Sequence, residues 1–259
     1  MYIDTHCHLE MVEGAFPRAI VERALDAGVD TMLTVGVDLA SSAECVQTAG
    51  AVPNVWAVVG IHPHNAIEAT DAVVGRLAQL ASHPRVVGIG ETGLDYFRDH
   101  SPRAQQRAAF RAHIDLAKQL DKALVIHCRD AHADVLEVLD AEGAPGRVVF
   151  HCFSGDADFA RRCAAHGWYM SFSGTVTFRN APDLRDAATA VPPELLLTET
   201  DAPYLSPHPH RGQTNEPSRI PLIAGTLAEL HGVTSEQMGQ LTSANARRAF
   251  ALPAPASVA

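Results

Sequence analysis

The sequence predicts an α/β chain folded as one TIM (β/α)8 barrel, on three observations. Short apolar runs alternate with helical stretches eight times, the pattern of a parallel sheet with right-handed crossovers. Five of the runs end in histidine or a carboxylate, and such barrels place their chemistry at the C-terminal ends of the strands. The chain has 259 residues and is 47% hydrophobic, which matches one closed unit of roughly 250 residues with a full core.

The first strand is Tyr2-Ile3-Asp4-Thr5, running into His6-Cys7-His8. Residues 17–27 carry Ala19, Ile20, Ala24 and Ala27 at helical spacing, and Gly28 follows as a cap. Strands two and three are expected over 31–35 and 55–59, with a helix over 40–49 between them. The third leads into Gly60-Ile61-His62-Pro63-His64, and a helix over 69–80 follows. The fourth run, Val86-Val87-Gly88-Ile89-Gly90-Glu91, is too short and glycine-rich for a helix; it reads as a buried strand ending at Glu91. Ser101 is expected to cap a helix with Pro102 at its first position and Phe110, Ile114, Ala117 and Leu120 on one stripe. The fifth strand meets His127 and the sixth meets His151, followed by helices over 133–139 and 159–165. Strand seven spans 168–172 with a helix over 183–190, and strand eight runs through Leu195-Leu196-Leu197-Thr198 into Glu199-Thr200-Asp201. A loop with several Pro and His residues leads to helices at about 220–230 and 236–250. Residues 1–250 are thus one catalytic domain, and the Ala- and Pro-rich tail 251–259 is expected to be disordered.

The net charge of −10 argues against a general nucleic-acid coat protein, which needs a basic face, but not against an enzyme that grips a few phosphates locally. The 5 cysteines are odd in number and form no CxxC pair, which points to a reducing compartment. The first strand starts at residue 2, and no apolar run approaches the ~18 residues of a membrane span, so a cytoplasmic protein with no membrane association is expected. No obligate protein partner is expected.

An acid at the end of a buried strand needs a metal, a cation or water. His6 and His8 are one residue apart, so on a strand they share a face. One such pair is weak evidence, but four histidines and two carboxylates at five strand ends make a metal site. A carboxylate can bridge two ions where a neutral imidazole cannot, which assigns Glu91 as the bridge between two divalent ions about 3.5–4 Å apart. His6, His8 and Asp201 would complete one ion, and His127 and His151 the other. Mg, Mn and Zn all remain open. Asp201 has a second candidate role as acceptor of the proton from a metal-activated water. Asp4 and Glu199, two residues before His6 and Asp201, are read as orienting residues, or as barrel acids paired with Lys or Arg. Cys7, Cys128 and Cys152 each follow a proposed ligand and should point to the opposite face as small core residues. In the loops, Tyr96-Phe97-Arg98, Arg129, Phe178-Arg179 and the stretch from Tyr204 to Arg211 supply guanidinium and aromatic groups that can hold phosphates and stack bases.

With these stretches in place, the chain resembles the TatD family of metal-dependent deoxyribonucleases. The resemblance rests on Asp4-Thr5-His6-Cys7-His8-Leu9, Gly60-Ile61-His62-Pro63-His64, Gly90-Glu91-Thr92-Gly93-Leu94-Asp95-Tyr96, Ile126-His127-Cys128-Arg129-Asp130-Ala131, Phe150-His151-Cys152-Phe153-Ser154-Gly155 and Glu199-Thr200-Asp201-Ala202-Pro203-Tyr204-Leu205. It also covers Pro209-His210-Arg211-Gly212. The resemblance implies a TIM barrel, two divalent metals and phosphodiester hydrolysis of DNA, typically as a 3′–5′ exonuclease; the ligand set with its Arg and aromatic loops points to single-stranded ends. It implies that His62 faces substrate. Gln213-Thr214 departs from the family, where many members carry Lys or Arg. A metal-dependent ester or amide hydrolase, such as an aminoacyl-tRNA deacylase, is the alternative enzyme. A non-enzymatic barrel that binds metal or a partner protein is disfavoured, because six ligands shared by two ions leave coordination positions open.

Overall fold

The computed structural model describes residues 1–254. Eight strands appear in order: β1 (Tyr2–Cys7), β2 (Val29–Val35), β3 (Val55–Val59), β4 (Val86–Asp95), β5 (Ala123–Arg129), β6 (Val148–Phe150), β7 (Tyr169–Phe172) and β8 (Leu196–Thr198). The helices between and after them are α1 (Pro17–Asp26), α2 (Leu39–Ala51), α3 (Asp71–Ala81), α4 (Arg103–Gln119), α5 (His132–Glu142), α6 (Ala157–Ala165), α7 (Pro182–Ala190), α8 (Ile220–His231) and α9 (Ser235–Ala249). Each strand pairs in parallel with the next in sequence, from β1 to β8. The ring closes beyond β8, where the Asp201 N–H donates to the His6 carbonyl at 2.9 Å and the His8 N–H to the Ala202 carbonyl at 2.7 Å. The closing seam therefore joins two of the segments expected to bind metal. No helix among the described residues is long and apolar enough to cross a membrane.

The barrel interior is filled by Ile3, Leu33, Val35, Val58, Val87, Val125, Val149 and Leu197. Phe250 and Leu252 join this cluster from the C-terminal end of the chain. The disordered tail expected from Ala251 does not hold at Leu252, which is 7% exposed because an apolar side chain is needed to cover the barrel; residues 255–259 lie outside the described residues. A larger apolar layer lies between strands and helices, with Phe110, Ile114 and Ala117 of α4 buried as their spacing required.

Two expected boundaries move. Ser101 is not the cap of α4; Pro102 takes that position, and the Ser101 hydroxyl donates to the His64 carbonyl at 2.7 Å. β4 does not stop at Glu91 but continues to Asp95, pairing with β5 as far as Arg129. Gly93, at φ 135°, permits this: a Cβ there would overlap the His127 carbonyl oxygen.

α4 also buries His113 completely. Its Nδ1 donates to the Ala109 carbonyl at 2.7 Å, so Nε2 is the acceptor for the Ile61 N–H at 3.0 Å. Burial lowers its pKa from 6.5 to about 4, the Ala109 bond opposing in part. The unfolded chain takes this proton first as pH falls, so the stability is full above about 6.5 and is lost between about 6.5 and 4. The shift corresponds to about 3 kcal/mol at the acid end. Urea unfolding in EDTA across this window should show a steeper loss for the wild type than for His113→Gln; equal slopes would refute the assignment.

Candidate metal centre

Glu91, 3% exposed, projects from β4 into the mouth of the barrel. Its Oε1 lies 2.7 Å from His151 Nε2, 3.0 Å from His127 Nδ1 and 3.3 Å from His62 Nε2. Its Oε2 lies 3.4 Å from His6 Nε2 and 3.9 Å from His8 Nε2. One carboxylate thus presents each oxygen to a different set of imidazoles. Asp201 Oδ1 completes the second set, 3.5 Å from His8 Nε2 and 3.9 Å from His6 Nε2. His127 Nδ1 and His151 Nε2 are 3.4 Å apart in the first.

The donor atoms fit divalent metal. His8 Nδ1 donates to the Val35 carbonyl at 2.7 Å, which leaves the Nε2 lone pair facing inward. His151 Nδ1 lies 3.3 Å from Glu199 Oε1, and His127 Nε2 lies 2.9 Å from Asp95 Oδ2. Each outer nitrogen is held by an acceptor, as metal-ligating histidines commonly are. The inner nitrogens then set lone pairs against carboxylate oxygens, which is favourable only with positive charge between them. His6 makes the point most sharply: it is 0% exposed and neither ring nitrogen has a hydrogen-bond partner. Three donor groups suited to an ion occur among the described residues: His6, His8 and Asp201; His62, Glu91 and His127; and His6, His151 and Glu199.

Protonation follows the same field. Burial works against a charged Glu91, but the charges of His151 and His62 and the close approach of the His127 and His151 rings hold it well below the usual carboxylate range. Burial also opposes a charged His151, yet Glu91 and Glu199 raise it well above the usual imidazole range. Burial and repulsion from His151 lower His6.

The outer residues divide by task. Asp4 accepts from the Thr200 hydroxyl at 2.5 Å, the Thr200 N–H at 2.9 Å and the His6 N–H at 3.2 Å. It ties together the strand ends that carry His6 and Asp201. Burial raises Asp4 to about 8, the Thr200 bonds opposing. Glu199 accepts from the Cys152 N–H at 2.7 Å besides facing His151. Neither acid has a Lys or Arg partner among the described residues, so the orienting reading fits better than the alternative of a buried ion pair.

His62 is brought within reach of Glu91, its Nε2 3.3 Å from Glu91 Oε1. Its Nδ1 accepts from the His64 N–H at 3.0 Å, which leaves the proton on Nε2, so it enters the centre as a donor. Cys7 is buried, as expected, and Cys128 nearly so. Cys152 is not a core residue: at φ 42° the strand alternation has ended, and the half-buried side chain lines the cavity. Burial pushes its thiol up to about 12, so it stays protonated.

The cavity above the centre measures about 980 Å³ and is lined by His8, His62, Glu91, His127, His151 and Asp201, with Arg98, Arg129, Tyr204, Asp156 and Asp183 around them. The Arg129 guanidinium lies 4.0 Å above the exposed Phe97 ring, and that of Arg211 lies 4.1 Å above Phe178. Tyr204 is 54% exposed. Arg179 and Arg211 do not line the cavity. Gln213 Oε1 serves its own loop, accepting from Arg219 Nη2 at 3.2 Å. Asp95, His64 and Gln106 were not singled out from sequence, although Asp95 stands an even number of residues past Glu91, the spacing of one strand face.

A family model described as TatD related DNase matches residues 3–251. A Mycobacterium tuberculosis protein named as an uncharacterized metal-dependent hydrolase TatD is 47% identical over 259 residues, covering 96% of this chain and 98% of the relative. An Erwinia billingiae protein named as a 3′-5′ ssDNA/RNA exonuclease TatD is 39% identical over 243 residues, covering 91% and 93%. The crystal structure of a TatD homologue from Escherichia coli K12 matches with a TM-score of 0.91 at 29% identity, covering 97% and 98%. Matched along nearly its whole length, and carrying at its strand ends a carboxylate ringed by histidines, the chain belongs to the TatD family of metal-dependent hydrolases.

Proposed function

We propose that this protein is a two-metal nuclease that shortens single-stranded DNA from its 3′ end. The observation that carries the reading is Glu91, whose two oxygens face two separate histidine sets. His6, His8 and Asp201 would hold one divalent ion, His127 and His151 the other, with Glu91 bridging. Two such ions supply Lewis acidity that neutralises phosphate charge and lowers the pKa of a water. Asp201, with 15% of its side chain exposed, would accept the proton from the attacking water at a carboxylate oxygen. His62 Nε2 offers a hydrogen bond to a substrate oxygen. Arg98 and Arg129 supply phosphate contacts on a globally acidic chain, and Tyr204 supplies a ring for a terminal base. Direction and strandedness draw support from relatives named as 3′-5′ ssDNA/RNA exonucleases.

The test is digestion of an end-labelled single-stranded DNA oligonucleotide with Mg²⁺, Mn²⁺ or Zn²⁺, and with EDTA. A metal-dependent ladder receding from the 3′ end is expected. No cleavage with any metal, while the protein binds those metals, would replace this reading with an ester or amide substrate.

A further inference from the structure

We infer that Asp95 is a positioning residue with two separable arms, one that aims His127 at the metal and one that shapes the loop lying over the substrate cavity. This rests on the two-ion reading of the centre. Asp95 is 1% exposed at the end of β4, four residues past Glu91.

The first arm is Oδ2, 2.9 Å from His127 Nε2 and 3.1 Å from His64 Nε2. A carboxylate oxygen only accepts, so the His127 proton resides on Nε2. Nδ1 is then left with its lone pair toward Glu91 Oε1, 3.0 Å away, and His151 Nε2, 3.4 Å away. Without Asp95 the ring would be free to carry its proton on Nδ1, and a protonated nitrogen binds no metal.

The second arm is Oδ1, which accepts from the Phe97 N–H at 3.1 Å and the Arg98 N–H at 2.8 Å. This bend sets exposed Phe97 against Arg129, which lies on the strand that carries His127. Gln106 fixes the hub from behind: its Oε1 accepts from the Asp95 N–H at 2.8 Å, and its Nε2 donates to the Asp95 carbonyl at 3.2 Å and the Ser101 carbonyl at 2.8 Å. One side chain thereby holds both a metal ligand and the loop that presents Phe97 and Arg98.

The arms separate by substitution. In Asp95→Asn the amide oxygen still accepts from Phe97 and Arg98, while the amide nitrogen meets His127 Nε2 as a donor and drives the proton to Nδ1. In Asp95→Ala both arms are gone. Titration of metal-free protein with Mn²⁺ or Zn²⁺ should show about 10–100-fold weaker binding of one equivalent in both variants, the usual cost of losing such a partner. On the single-stranded oligonucleotide at saturating metal, KM should rise several-fold in Asp95→Ala and stay near wild type in Asp95→Asn. Thermal melting of the metal-free proteins controls for folding. Wild-type metal affinity in a folded Asp95→Asn would overturn the inference, as would equal KM in both variants. A wild type that binds fewer than two equivalents would overturn the two-ion reading itself, a separate outcome.

Discussion

Replacing Glu91 with alanine should abolish metal-dependent hydrolysis, by about 10³-fold or more, while leaving the barrel folded. That size is expected for a group holding charge in a water-poor site at the reacting centre. The Glu91 carboxylate lies within 4 Å of five imidazoles. If Glu91 bridges two ions as proposed, its loss takes a ligand from both histidine sets at once, and bound metal should fall from two equivalents to one or none. The fold should survive, because the barrel interior is filled by Ile3, Leu33, Val58, Val125 and their neighbours. Metal stoichiometry by elemental analysis, circular dichroism and the oligonucleotide assay check the three parts. Full activity in the variant would remove Glu91 from the bridging role.

Asp201→Asn should produce the next largest loss, about 10²–10⁴-fold in kcat, the usual range for a general base. The amide keeps the shape but accepts no proton at neutral pH. His6, His8 and Glu91 remain beside the first ion position, so saturating metal should still load two equivalents, with weaker affinity for one. Asp201 sits at φ 54°, which turns it out of the strand direction and toward the cavity. If metal loading fails entirely in this variant, Asp201 is a ligand first and the proton acceptor must be sought elsewhere.

Much of this was legible in the chain. The apolar runs at β1, β4, β5, β6 and β8 marked where the site would form, because an ionisable residue in a buried strand needs a metal, a cation or water beside it. His6 and His8 were readable as a pair from the period of two. Where the structure departs from local pattern, the causes are physical. Glu91 looked like a strand end because an acid terminated an apolar run, yet Gly93 lets β4 run on against β5 and deliver Asp95 beside His127. Cys152 was assigned to the core by alternation, which a left-handed residue breaks.

The alternation of elements, the barrel, the histidines and carboxylates of the site, and the family can all be read from the chain, since they rest on local periodicity or on motifs of a few residues. Which nitrogen of each histidine faces inward, which oxygen of Glu91 faces which set, and the tie that Asp4 makes between β1 and the segment after β8 emerge only from the folded barrel. These depend on partners as far apart as Asp4 and Thr200, brought together only when the ring closes. A hydrogen bond across that closure carries no local trace in the sequence, because its geometry is set by strand register and not by neighbouring residues.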